Sequence, residues 1–321
     1  MGSLSLNSIQ VPPAQGQTHS HTVVFLHGRG DSAANFCSSL QYSRDSQGRT
    51  LADAFPSFRW VFPQAPKRKC ASSPDEWNQW FDVWNVSNFA ENEDLQAEGL
   101  REVVPKIRDI LAKEASDLNG RWDKIILMGI SMGSATSVHT LFNLDVPTPD
   151  KRLGAFIGFS GRCPFAGRTL DEMRKTLQVD SSPTHNDVLK NTPILLEHCV
   201  DDPLVLVGWG RKQREILKGF GANVAWREYG AGGHWFNSPQ GMDDVWRNTP
   251  RALEGFLDCF YWHGVALMKR ELLPEESTPE KPAVSERKPK LLSHEDRTKK
   301  NWAKNLADNI TKRQAGKKAE K

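Results

Sequence analysis

The chain has 321 residues, 38% of them hydrophobic and 25% charged, with a formal net charge of +3; these are ordinary values for a soluble globular protein, long enough for one large domain or two small ones. The charge is uneven: residues 269–321 hold 15 of the 42 Lys and Arg but 9 of the 39 Asp and Glu, leaving 27 basic against 30 acidic residues before them, which argues against a nucleic-acid face on the folded part. Five scattered cysteines with no CxxC pair argue against a disulfide scaffold or a cysteine metal site, and no apolar run approaches a signal peptide or a membrane span, so a cytoplasmic protein is expected, with the nucleus as a second compartment.

Residues 1–20 show no periodic pattern and are expected to form a flexible N-terminus. Gly2 suits myristoylation, but Leu6 stands where that motif needs Ser or Thr. A folded domain is expected over 21–268. Its rhythm is set by six short apolar runs: TVVFLHG (22–28), RWVFPQAP (59–66), KIILMGI (124–130), LGAFIGFSG (153–161), PILLEHC (193–199) and VAWREYG (224–230). Several lack period-2 alternation, as strands covered on both faces of a mainly parallel sheet do. Helical patterns lie between them, beginning at Glu93 (with Pro105 expected to kink or break it), after Ser131, from Gly208 and from Asp243. Alternating strands and helices predict an α/β fold. From about Leu273 the composition turns to Pro, Glu, Lys and Ser, so 269–321 reads as a basic, largely disordered tail. Trp302, Leu306 and Ile310 allow a marginal amphipathic helix there, and an acidic surface or protein partner is the alternative to plain solvation.

One segment carries chemistry. ILMGISMGSA drives an apolar run into Ser131, held between Gly129 and Gly133. GxSxG alone is weak evidence; after a buried strand and before a helix it has the context of a nucleophile elbow, where Cβ atoms at the flanking positions would obstruct the turn. The hydroxyl would then stand at the carboxyl end of the sheet and at a helix N-terminus. A serine hydroxyl needs a base to remove its proton and an acid to orient that base, in the chain order serine, acid, histidine. His234, in the glycine-rich YGAGGHWF after the last predicted strand, suits the base. His27, His139, His185 and His198 read as structural. HCVDDPLV offers two acids, Asp201 and Asp202, and Pro203 favours Asp202 by restraining the backbone beside it. For the oxyanion, the backbone N–H of Met132 and that of Arg29, in the loop FLHGRGDSAANF, are the expected donors.

FLHGRGDSAANF, VFPQAP, WNQWFDVWNV, LMGISMGSA, GFSG, HCVDDPLV and GGHWF occur together in an order and spacing that resembles the acyl-protein thioesterase family, the phospholipase/carboxylesterase branch of the α/β-hydrolases, over about residues 22–263. The resemblance implies an α/β-hydrolase fold and hydrolysis of acyl esters or thioesters, from a lipidated protein, a lysophospholipid or a small ester, with no cofactor and no metal. It matches Ser131, Asp202 and His234 to the triad, Arg29 and Met132 to the oxyanion positions, and Trp80, Phe81 and Leu204 to the acyl pocket. The chain departs from the pattern at Met132, where the family has Gln, and at Ser134, where it has a second glycine. Trp235 beside the base, an added polar segment over about 165–191 and the tail are further departures; Trp235 would help to line the substrate site. The competing reading is a ligand-binding or interaction module on the same fold with vestigial turnover.

Overall fold

A computed structural model describes residues 5–249. The second half of the helix expected from Asp243 and the whole basic tail at 269–321 lie outside the described residues. In chain order the elements are β1 (Ser8–Val11), β2 (His21–Leu26), α1 (Ala33–Ser39), α2 (Leu51–Ala54), β3 (Phe58–Pro63), β4 (Lys67–Lys69), β5 (Glu76–Asn78) and α3 (Leu95–Asp117). They continue with β6 (Ile125–Ile130), α4 (Met132–Phe142), β7 (Ala155–Phe159), α5 (Leu170–Leu177), α6 (Asp187–Asn191), β8 (Ile194–Cys199), α7 (Val207–Gly219), β9 (Val224–Tyr229) and α8 (Gln240–Arg247).

All six expected runs are strands of one seven-stranded sheet, ordered β1-β3-β2-β6-β7-β8-β9. It is parallel from β3 to β9. Strands β2, β6, β7 and β8 are buried at every residue, which is why their sequences do not alternate. Their side chains still divide between two faces: Val24, Leu26 and Leu127 join the core under α3 and α4, and Val23, Phe25 and Met128 join the core against α1 and α8.

Three features differ from the sequence expectation. Residues Ser8–Val11, read as flexible, form β1 and pair antiparallel with β3, Ile9 opposite Phe62. The segment is short and half exposed, so its pattern carries no burial signal. A two-stranded hairpin, β4-β5, occupies polar sequence with equally little periodicity. Finally, α3 runs for 23 residues with Pro105 inside it, so of the kink or break expected there the break does not occur. Its buried stripe includes Leu100, Val103, Val104, Ile107 and Leu111. At about 1.5–3 kcal/mol for each such side chain, that burial outweighs the roughly 3 kcal/mol cost of an interior proline.

The order of the strands determines where a site can form. From β2 the chain crosses to β3 on one side, whereas β6, the other neighbour of β2, leads on to β7, β8 and β9. Such a reversal opens a crevice at the carboxyl ends of the two central strands. The HGRG loop leaves β2 there and the serine turn leaves β6.

Candidate active site

Ser131 is the residue between β6 and α4, with φ 57° and ψ −122°. A non-glycine residue in that region is strained by about 1–3 kcal/mol and persists only where its surroundings over-determine it. The surroundings here are tight. Its N–H donates to the Phe159 carbonyl at the end of β7, 2.9 Å away, and its own carbonyl accepts from Ala135. A methyl group at Gly133 would lie 2.2 Å from the Leu26 carbonyl oxygen, and one at Gly129 would lie 2.5 Å from the Gly133 backbone. Both glycines are therefore required by close backbone approach. The side chain stays partly exposed, with Gly28 of the HGRG loop packed beside it.

The acid and the histidine meet at the ends of β8 and β9. Asp202 Oδ2 lies 2.7 Å from His234 Nδ1, and both side chains are buried. A carboxylate accepts, so Nδ1 donates and Nε2 is left as the acceptor, the tautomer a general base needs. Asp202 Oδ1 accepts from the Leu204 and Val205 N–H groups at 2.8 and 3.0 Å. His198 adds a third support: its Nε2 donates to the Val205 carbonyl at 2.7 Å and lies 3.4 Å from Asp202 Oδ2. Burial alone would raise the Asp202 carboxyl, but the hydrogen bonds from His198 and His234, the field of His234 and the Leu204 amide outweigh it and hold the group well below the usual carboxylate range. Asp201 faces the other way and accepts from the Gly233 and Gly232 N–H groups at 2.8 and 3.3 Å, shaping the loop that carries His234.

The HGRG loop is braced from below. Ala65 N–H donates to His27 Nε2 at 3.1 Å, so Nδ1 carries the proton and donates to the Gly28 carbonyl at 2.8 Å. Trp80 Nε1 donates to the His27 carbonyl at 2.8 Å. Burial lowers the pKa of His27, which suits this neutral, structural role. The next turn is tied to β5: Gly30 N–H donates to the Asn78 carbonyl, and the Arg29 side chain donates to Gln79 Oε1 at 2.7 Å and lies over the Trp77 ring. Arg29 thus has its side chain directed into the hairpin. Met132, at the first position of α4, has an N–H with no partner inside the helix.

The other expected site residues separate. Trp80 and Phe81 are completely buried in the core and line no open surface. Leu204 is partly exposed beside Asp202. Trp235 is half-buried, donates to Ser43 Oγ at 3.0 Å and packs on Phe36 and Phe236. Of the histidines read as structural, His139 is buried between Phe142 and Phe165 and its pKa is pushed down to about 3 by burial, while His185 lies beside Asp145 and Asp187. Reading the sequence missed Gln79, Trp77 and the support His198 gives Asp202. Only the first two had any signal, their place in the Trp-rich WNQWFD segment.

A family model described as phospholipase/carboxylesterase matches residues 8–248. The chain is 27% identical over 219 residues to acyl-protein thioesterase 1 of Candida albicans, covering 68% of this chain and 85% of that protein. It is 29% identical over 238 residues to acyl-protein thioesterase 1 of Gibberella zeae, covering 73% and 90%. Among solved structures it resembles acyl-protein thioesterase 2 of Zea mays, with a TM-score of 0.57, 25% identity and coverage of 75% and 96%. The fold also resembles that of SOBER1 from Arabidopsis thaliana, with a TM-score of 0.54, 23% identity and coverage of 73% and 99%.

Proposed function

Because the chain belongs to the phospholipase/carboxylesterase family of α/β-hydrolases, and is on that ground a hydrolase of carboxylic esters or thioesters, we propose that it works through an acyl-enzyme on Ser131. In this reading His234 Nε2 takes the hydroxyl proton as Ser131 Oγ attacks the carbonyl carbon, and the charge that develops on the carbonyl oxygen is met by the N–H groups of Arg29 and Met132. His234 then returns the proton to the departing alcohol or thiol. A water molecule, deprotonated by the same imidazole, attacks the acyl-enzyme and releases the acid with Ser131 restored. Asp202 holds the ring in its tautomer and stabilises the imidazolium.

The observation that carries the proposal is the buried 2.7 Å contact between Asp202 and His234, on the loops after β8 and β9 at the same carboxyl edge of the sheet as the strained Ser131. The names of the relatives favour an S-acylated protein as substrate, and a cytoplasmic enzyme fits five scattered cysteines with no CxxC pair. Leu204 and Trp235, both partly exposed near the acid and the base, are the side chains we assign to the acyl group's surroundings.

The test is chemical. A fluorophosphonate should label the wild-type chain stoichiometrically at Ser131, and Ser131→Ala should lose labelling together with hydrolysis of p-nitrophenyl acetate, a fall in kcat of roughly 10⁶-fold by comparison with other serine triads. Equal turnover by the alanine variant would end the proposal. Palmitoyl and acetyl thioesters of a cysteine peptide, assayed side by side, would then rank protein-borne against short acyl groups.

A further inference from the structure

Arg162 lies three residues beyond Phe159, whose carbonyl holds the Ser131 N–H. Its relative exposure is 5%, yet among the described residues it forms no ion pair. One nitrogen donates to Gln96 Oε1 at 2.7 Å, a neutral acceptor whose own amide is turned this way by donating to the Phe89 carbonyl at 3.0 Å. The guanidinium carbon lies over two aromatic rings, 4.1 Å from the Phe89 centroid and 5.6 Å from that of Phe81. Glu93 acts on it only through space, since its carboxylate accepts the Phe165 N–H at 2.6 Å. Burial lowers the Arg162 pKa to about 10, which leaves it charged at neutral pH.

The residues next to Arg162 leave further buried polar atoms without partners. Gly161 packs against Ser134 Oγ and Gln213, and a methyl group there would stand 2.3 and 2.8 Å from their oxygens. Ser134 Oγ, Ser160 Oγ and Gln213 Nε2 are buried without a hydrogen-bond partner. Arg162 gives one hydrogen bond, to a neutral acceptor, and a cation in such surroundings is costly unless something anionic completes it. A planar fork of N–H groups suits a carboxylate or a phosphate. Resting on the acyl-enzyme reading above, we propose that Arg162 binds an oxyanion carried by the substrate, a carboxylate or phosphate placed away from the scissile carbonyl, and so selects anionic esters or thioesters over neutral ones.

Three substrates separate the sources of the charge: p-nitrophenyl butyrate is neutral, p-nitrophenyl hemiglutarate carries a carboxylate on the acyl side, and 4-butyryloxyphenyl phosphate carries a phosphate on the leaving side. The wild-type chain should favour one of the anionic pair by at least about tenfold in kcat/KM, chiefly through KM. In Arg162→Met that ratio should fall by at least about tenfold, and Arg162→Lys, which keeps the charge without the fork, should fall between the two. Binding gives a readout that needs no turnover: glutarate or inorganic phosphate should raise the Tm of the wild-type chain and leave that of Arg162→Met unmoved. A wild-type preference for the neutral ester, or a ratio unchanged in the Met variant, overturns the assignment. If no ester is hydrolysed, the acyl-enzyme reading fails, and the Tm shifts alone decide whether Arg162 binds an oxyanion.

Discussion

At Ser131 the backbone is held in place by neighbours that lack side chains. The strained φ is tolerated because α4 starts hard against the strands on either side of it: Gly129 of β6 faces the Gly133 backbone, and Gly133 faces the carbonyls at the end of β2. In Gly133→Ala the new methyl would meet the Leu26 and His27 carbonyl oxygens at 2.2 and 2.6 Å, backbone atoms that cannot rotate away. Overpacking of this kind costs about 1–3 kcal/mol. For a domain of this size that lowers Tm by roughly 2–12 °C, and displacement of the serine should remove most hydrolysis. Gly167→Ala is the control, because its methyl would meet nothing within 4 Å. A melt and an esterase assay on both variants check this, and equal Tm values would contradict the steric account. The two neighbouring aspartates show the same dependence on placement: one carboxylate faces an imidazole, the other two glycine amides, although in sequence they are adjacent and chemically identical.

Elements reach the site by leaning on one another. The HGRG loop hangs from the end of β2, and what holds it is the following segment: Gln79 on Arg29, Asn78 on Gly30, and Trp80 beneath His27. Trp80→Phe keeps a large ring but leaves the buried His27 carbonyl without its indole donor, a loss of about 1–3 kcal/mol. Tm should fall, and kcat toward p-nitrophenyl acetate should fall with it as the Arg29 backbone loosens. If kcat stays unchanged while Tm drops, the loop is not what positions the oxyanion donor. Apolar runs with a long continuous signal announced six of the strands, whereas β1 and the β4-β5 hairpin are short, half exposed and mixed in polarity, so no periodicity marks them. The helix continues through Pro105 for a related reason. The proline's local cost is readable from the sequence, but the stripe of core contacts that outweighs it belongs to the packed molecule.

Across the whole molecule, buried ionisable groups limit stability from both sides of neutrality. His139, pushed down to about 3 by burial, stays neutral in the fold, so the unfolded chain gains protons first and stability falls as pH drops below about 6.5. Glu197 on β8 works in the opposite direction. Burial first, and then the charge of Asp244, raise its pKa well above the ordinary value, with the Tyr229 hydroxyl and Arg227 offsetting only part. A raised carboxyl favours the fold below its unfolded pKa of about 4.3 and loses that advantage as pH rises through the folded value. Glu197→Gln, which cannot ionise, should therefore raise Tm at pH 8 and change it little at pH 4. Melting curves across that range check the prediction, and a variant destabilised equally at both ends would refute it. Nothing in ILLEHC distinguishes this glutamate from a solvent-facing one until β7, β9 and α8 cover it. The elbow with its two glycines and the parallel apolar strands could be read without a structure, because each depends on residues within one turn or one strand, whereas the serine, acid and histidine were named from the known chain order of such triads and the family resemblance. What holds Asp202 against His234, why Trp80 and Phe81 lie in the core and how Arg162 comes to be buried without an ion pair were decided only when distant segments packed, because burial and pairing are properties of neighbours in space.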